Sequence, residues 1–208
     1  AQPKDRELKE WNSPKEMQDA NKAAITSTVA NRKEPVSREA VKVTFGTAYG
    51  AATDNAITYA EEAAIKKNPG VKPLKTTNEK EYWKAVDDEL TKITNEYFNP
   101  PSSPSSNDYS LWYLTVREPF EATVGKLVRV PSQIEGRGEF TTDDIYRNPN
   151  SAYNQIKRRP NIAKITPPEK QKAAIVEELK KSLEKGYNQK FMKLANEKKE
   201  VETLRQQL

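Results

Sequence analysis

The residue types that most often perform chemistry in proteins are scarce in this chain. It contains no His and no Cys, so it lacks thiol nucleophiles, disulfides and the usual ligands of zinc, haem and iron–sulfur centres. Gly125-Lys126 and Gly136-Arg137-Gly138 place cations beside glycines. Neither follows the phosphate-loop pattern, in which Ser or Thr follows the Lys at the start of a helix. We therefore predict no nucleotide site, no metal site and no other cofactor.

Carboxylate pairs also fail to make a catalytic dyad. Glu61 and Glu62 are adjacent, as are Asp143 and Asp144, and adjacent side chains on a helix point about 100° apart. General acid–base catalysis without His is feasible with Glu, Lys or Tyr, but such groups do not gather here at a recognisable spacing. We predict that the protein is not an enzyme and assign no catalytic residue.

The composition indicates a thin hydrophobic core. Of the 208 residues, 35% are hydrophobic and 31% are charged, against roughly 45–50% and 25% in ordinary globular domains. The 14 Pro outnumber the 7 Gly. Such a composition is expected of a subunit that completes its folding on a partner.

Positive charge is concentrated at the C-terminal end. Residues 157–208 carry fourteen Lys and Arg against seven Asp and Glu, a net charge of +7. The other 156 residues carry twenty-one against twenty-three, a net charge of −2. This local excess favours contact with an acidic protein surface, a nucleic-acid backbone or an anionic membrane.

A transmembrane segment is not expected. No apolar run approaches the roughly 18 residues that such a helix requires, so we expect a soluble protein. The sequence begins at Ala1 without Met. Two explanations stay open: a targeting segment was removed, as in an imported organellar protein, or the sequence was trimmed.

Three helix start signals lie in the first half of the chain. Ser13, Ser37 and Asn78 are residue types that cap helix N-termini, and apolar residues recur every three or four positions after each. We expect three helices in an antiparallel bundle, over residues 13–31, 37–67 and 78–99.

The middle of the chain reads as a linker that carries a small β element. Residues 100–106 contain three Pro and four Ser, which is typical of a linker. Residues 109–116 and 122–130 are rich in β-branched and aromatic residues, so they predict a β-hairpin. An irregular loop over residues 131–160 follows, with a short helix over residues 151–158.

A single long helix is predicted at the C-terminal end. Thr166 can cap it, Pro167 suits its first position, and Glu169 reaches back to the cap. At 1.5 Å per residue it is roughly 60 Å long, with a weak point at Gly186. One apolar stripe follows its length, at Val176, Leu179, Leu183, Tyr187, Phe191, Leu194, Val201, Leu204 and Leu208. A helix of that length should meet something besides its own chain.

The predicted fold class is therefore mainly α, with an N-terminal helical bundle, a proline-rich extended segment carrying a small β-hairpin, and a long C-terminal helix. We divide the chain into four segments: an arm (1–12), a helical region (13–99), a proline-rich linker with hairpin and loop (100–165), and a basic C-terminal helix (166–208).

Three functions are compatible with these patterns. The favoured one is a non-catalytic linker or scaffold subunit of a large assembly, which docks basic helices and extended arms on acidic partner subunits. Its composition is similar in type to that of the linker polypeptides of light-harvesting antenna complexes, although it contains none of their motifs. The alternatives are a nucleic-acid-associated protein, for example on a ribosome, and a small helical enzyme or ligand carrier.

Nine residues are the predicted partner contacts. Aromatic residues are frequent anchors of interfaces, and the cations form the densest positive clusters of the chain. The predicted contacts are Trp11, Trp112, Tyr113, Lys157, Arg158, Arg159, Lys190, Phe191 and Lys193.

Overall fold

The computed structural model describes residues 11–101, 107–129, 131 and 138–208. These residues are mainly helical, as predicted, and contain no β-strand. The chain divides into two compact units. The N-terminal unit comprises Ala1–Pro104 and Trp112–Thr141, and the C-terminal unit comprises Ser105–Leu111 and Thr142–Leu208. Most of the predicted arm lies outside the described residues, and the four-segment division stays a prediction.

Side-chain caps begin three helices of the N-terminal unit, as predicted. The Ser13 Oγ accepts a hydrogen bond from the Glu16 N–H at 3.1 Å, and Ser37 and Asn78 cap in the same way. Five helices precede the linker: α1 (Pro14–Asn31), α2 (Arg38–Tyr49), α3 (Thr53–Lys67), α4 (Val71–Thr77) and α5 (Glu79–Tyr97). Of these, α4 was not predicted.

The prediction of a single helix over residues 37–67 is wrong, because the helix is interrupted at Gly50. Gly50 has φ of 54°, a conformation that glycine adopts without the steric cost of a side chain. A 3₁₀ turn, Gly50–Ala52, joins α2 to α3. The apolar spacing continues across this turn, so the hydrophobic pattern alone did not show the break.

We expect Ser37→Ala to lower the free energy of unfolding of the N-terminal unit by about 1 kcal/mol, because the Ala40 N–H loses its acceptor. All three Trp residues, at positions 11, 83 and 112, belong to this unit. Urea unfolding followed by Trp fluorescence therefore reports on it. The control Ser37→Asp keeps an acceptor and should stay within about 0.5 kcal/mol of the wild type. Equal losses in both variants would contradict the capping role.

The predicted β-hairpin is wrong. Residues 109–116 are helical, within α6 (Asn107–Trp112) and a π-helical turn (Tyr113–Arg117), and residues 122–124 end α7 (Glu118–Val124). An isolated antiparallel bridge joins Pro131 to Glu139 in the described part of this region. Pro119 follows the π-helical turn inside a helical run that extends from Asn107 to Val124, so its missing N–H falls where the regular α-helical hydrogen-bond pattern is already interrupted. Strand propensity depends on context, and packing overrides it here.

Aromatic side chains fill the core of the N-terminal unit around α5 and α7. The Tyr97 ring lies 4.3 Å from the Phe120 ring, measured between centroids, and the Phe98 ring packs edge-on against Tyr97 at 5.1 Å. All three residues are buried. Aromatic side chains therefore fill the interior of this unit, in a chain whose composition predicted a thin hydrophobic core.

Three short helices and one long helix form the described C-terminal unit from residue 142 onward: α8 (Asp143–Tyr146), α9 (Ala152–Lys157), α10 (Pro160–Ala163) and α11 (Pro168–Gln207). The Asn154 amide donates to the carbonyl oxygens of Tyr146 and Asn148, at 2.9 and 2.8 Å. These bonds fix the connection between α8 and α9. The predicted short helix over residues 151–158 is confirmed, whereas the irregular loop contains more helix than expected.

The long C-terminal helix is confirmed, with two corrections. It begins at Pro168 with Pro167 in the cap position, and no side chain caps it, so the predicted Thr166 cap is wrong. Ile175 and Leu179 are fully buried against the short helices. Every residue from 188 to 208 is exposed. The apolar stripe is therefore split into a buried first part and an uncovered second part.

Candidate interaction surfaces

The predicted contact residues fall into two groups, one buried and one exposed. Trp112 and Tyr113 lie in the core of the N-terminal unit. The Trp112 Nε1–H donates to the Glu96 carbonyl oxygen at 2.8 Å, and the Tyr113 ring packs near the Phe140 ring. We therefore assign Trp112 and Tyr113 to the core. Trp11 is half-buried.

Four cations form an exposed cluster on the C-terminal unit, which we call the basic corner: Arg147, Lys157, Arg158 and Arg159. The short helices α8 to α10 position them. Arg147 follows α8, Lys157 ends α9, and Arg159 precedes α10. Sequence reasoning found three of the four. Arg147 was missed because it precedes Lys157 by ten residues in the sequence. The turn signal Asn148-Pro149-Asn150 could have indicated that the chain folds back between them.

Local contacts hold these side chains in place. The Arg158 Nη1 donates to the Pro149 carbonyl oxygen at 2.7 Å, and the Lys157 Nζ lies 5.9 Å from the centroid of the Tyr153 ring. The Arg159 guanidinium pairs with Glu178 at 3.2 Å. Lys157 also stands in the last turn of α9, where the helix dipole favours a cation. The charges are thus anchored at the surface.

An open groove lies between these cations. It is lined by Arg147, Pro149, Asn154, Lys157, Arg158, Ala163 and Gln171, without any Asp or Glu. Among the described residues, no carboxylate approaches Lys157 or Arg158 within 4.0 Å. Arg147 is paired weakly with Asp143, at 3.4 Å. A groove with three cations and no carboxylate in its lining is suited to an anionic group.

The aromatic residues of this corner are not available for stacking on bases. Tyr153 is buried, and Tyr146 is half-buried with its ring edge-on to Tyr153 at 5.0 Å. Proteins that bind single-stranded nucleic acid usually expose aromatic rings among their cations. This corner therefore offers charge without a stacking platform.

The uncovered part of α11 carries the second group of predicted residues. The apolar side chains of the predicted stripe that lie here, which we call the tail face, are Phe191, Leu194, Val201, Leu204 and Leu208. The first four are 49–65% exposed. Lys190 and Lys193, which the sequence also indicated, are exposed beside them. The tail face extends about 26 Å along the helix at 1.5 Å per residue. Exposed apolar side chains that share one face of a helix are characteristic of an interaction site.

Other parts of the described structure offer less for function. A cavity of about 80 Å³ lies between α1, α2 and α5, well below the roughly 300–1,000 Å³ of typical ligand pockets. In the described residues, no group of three or more acidic side chains is arranged to hold a metal ion. Of the helices described, none combines the length and hydropathy needed to span a membrane.

Comparison with known proteins adds no relative. No protein-family model matches the chain, and neither the curated proteins nor the solved structures contain a significant match.

Proposed function

We propose that the protein is a non-catalytic linker or scaffold subunit that docks the basic corner on an acidic surface of a partner protein. The observation that carries this proposal is the groove lined by Arg147, Lys157 and Arg158 without a carboxylate. Among the described residues no carboxylate approaches Lys157 or Arg158 within 4.0 Å, so both charges can pair with carboxylates of another chain. Their anchoring by Pro149 and Tyr153 lowers the entropy cost of that pairing.

An acidic protein fits this corner better than a nucleic acid does. The nearby Tyr rings are packed inside the unit, so base stacking has no platform. Arg158 also presents a planar guanidinium, whose remaining donors suit the bidentate geometry of a carboxylate. Nucleic-acid binding remains the alternative outcome of the experiment below.

The test compares two probes, a glutamate-rich peptide and a single-stranded RNA of similar length and charge. We expect the protein to bind the peptide with an affinity that falls as salt rises. Lys157→Glu combined with Arg158→Glu should weaken that binding by about tenfold or more, since two attractive pairs become repulsive. The matched control is Lys72→Glu with Lys80→Glu. It changes the net charge equally at exposed positions of the N-terminal unit.

The identity of the partner requires the native complex. A photo-crosslinker at the exposed position 155 of α9, followed by nuclease treatment and mass spectrometry, should capture a protein with an acidic surface. Capture that is unchanged when Lys157→Glu and Arg158→Glu are added, or binding of RNA in preference to the peptide, would contradict the proposal. If Lys72→Glu with Lys80→Glu weakens peptide binding as much as Lys157→Glu with Arg158→Glu does, the affinity depends on net charge and not on the basic corner.

A further inference from the structure

The tail face has no cover within the described chain, although its side chains are strongly apolar. Residues 188–208 are all exposed, so they lack the tertiary packing that supplies most of the stability of helices in proteins. Leu194, Val201 and Leu208 repeat every seven residues, and Leu183, Lys190, Glu197 and Leu204 form the second series with the same period. This heptad spacing is that of a two-stranded coiled coil, in which both series face the other helix.

We infer that the tail face pairs with the same segment of a second copy of this chain, and that the two helices run antiparallel. In the register proposed, Leu194 lies opposite Glu197 of the second copy, and Leu183 lies opposite Leu208. The charges of the segment select this arrangement over the parallel one.

The seam itself contains two charged residues, Lys190 and Glu197. In a parallel in-register pair, each would face its own equivalent, so two Lys and two Glu would meet in the seam. In the antiparallel pair, Lys190 of one copy and Glu197 of the other are offset by about 6 Å along the helix axes, so their side chains lie on adjacent turns. Opposite charges are therefore brought together in both symmetric halves.

Flanking residues favour the same orientation. The antiparallel register places Lys193 opposite Glu200 of the second copy and Glu184 opposite Arg205 of the second copy. Each attractive pair occurs twice by symmetry. A parallel pair would instead place Lys193 next to Lys198 of the second copy, because flanking positions of parallel helices meet five residues apart in sequence. The same rule also pairs Glu200 with Arg205, so the parallel register has one repulsive and one attractive charged pair, whereas both pairs of the antiparallel register are attractive.

A second copy also fits better than the acidic partner proposed for the basic corner. Residues 183–208 carry six cations and four carboxylates, so the segment is nearly balanced. Glu197 and Glu200 would be repelled by an acidic surface. Two-fold symmetry requires that each charge on the face find its opposite on the same face, and Lys193 with Glu200 and Glu184 with Arg205 do so. The inference concerns a different surface from the basic corner and is independent of the function proposed above.

The first test measures the mass of the full chain by sedimentation or light scattering from micromolar to sub-millimolar concentrations. We expect a reversible monomer–dimer equilibrium. Leu194→Asp with Leu204→Asp should abolish the dimer while keeping the unfolding midpoint reported by Trp fluorescence. Lys157→Glu with Arg158→Glu should leave the dimer unchanged, which separates this inference from the proposed function. A chain that stays monomeric throughout would overturn it.

Charge exchange then tests the orientation. Lys193→Glu should weaken the antiparallel dimer by about tenfold, and Lys193→Glu with Glu200→Lys should restore it. A parallel dimer would respond in the opposite way to Lys193→Glu, because the repulsion with Lys198 would become attraction. Strengthening by that single change would therefore overturn the orientation.

A distance measurement provides a second readout. The chain lacks Cys, so one Cys introduced at Gln206 can carry a spin label without background. In the proposed register the two labels are about 30 Å apart along the helices. Labels in close proximity would indicate a parallel pair and contradict the inference.

Discussion

Replacing Tyr97 by Ala is expected to lower the free energy of unfolding of the N-terminal unit by about 3–5 kcal/mol. Tyr97 is 1% exposed, and its ring packs on Phe120. Its hydroxyl donates to Glu121 Oε1 at 2.8 Å and accepts from the Leu127 N–H at 3.1 Å. The substitution therefore removes aromatic packing and leaves a buried N–H without its acceptor.

The matched variant Tyr97→Phe separates the two contributions. It keeps the ring and removes only the hydroxyl, so we expect a loss of about 1–3 kcal/mol from the unmet Leu127 N–H. Glu121 still accepts from the Arg117 Nε at 2.9 Å. Urea unfolding followed by Trp fluorescence measures both variants. Equal losses for Phe and Ala would show that packing of the ring contributes little, and a loss below about 1 kcal/mol for Ala would contradict the assigned core.

The second large effect is expected from Arg32→Met. Arg32 Nη1 forms an ion pair with Asp87 Oδ2 and donates to Thr91 Oγ1 at 3.0 Å. Asp87 is 1% exposed, whereas the Arg32 side chain is 22% exposed. Removal of the cation leaves a buried carboxylate unpaired, which typically costs about 3–5 kcal/mol at neutral pH. We expect a loss near the lower end, because Arg32 is partly hydrated.

The loss should depend on pH. Burial raises the pKa of the Asp87 carboxyl above its ordinary value, and the Arg32 guanidinium opposes that rise. A folded-state pKa above the unfolded one means that ionisation of Asp87 lowers stability as pH rises through the folded value. Without Arg32 the pKa rises further. The deficit of Arg32→Met should therefore be largest at neutral pH and shrink as the pH falls toward the ordinary Asp value.

The control is an ion pair of similar chemistry at the surface. Arg38 pairs with Asp54 at 2.9 Å, and the two side chains are 42% and 58% exposed. Arg38→Met should cost no more than about 1 kcal/mol, because solvent screens exposed pairs. Adding Asp87→Asn to Arg32→Met should recover part of the stability and flatten its pH dependence. A pH-independent loss in Arg32→Met would show that the Asp87 charge is not its cause.

Local signals allowed the starts of α1, α2 and α5 to be predicted from the sequence. Ser13, Ser37 and Asn78 cap helices through hydrogen bonds to N–H groups three residues away. Such contacts depend only on neighbours along the chain. The long helix α11 and its apolar spacing were readable for the same reason. The positions of three cations of the basic corner were also visible, because they are consecutive.

Tertiary packing decided what local signals did not. Trp112, Tyr113 and Leu114 have strand propensity, but they are buried in a helical segment by contacts with residues distant in sequence. Arg147 joined the basic corner only because Asn154 bonds fold the chain back on itself. In both cases the deciding contacts lie outside the window that propensity describes.

The apolar stripe of α11 shows the division most clearly. Its spacing follows from the sequence alone, and nothing in that spacing distinguishes Leu179 from Leu194. The structure places Leu179 against the short helices of the C-terminal unit and leaves Leu194 65% exposed. The spacing of apolar residues along the sequence determines which side chains share a face, because the helical repeat is fixed by the backbone geometry. Which part of that face is covered depends on where other elements lie, and only tertiary structure decides that.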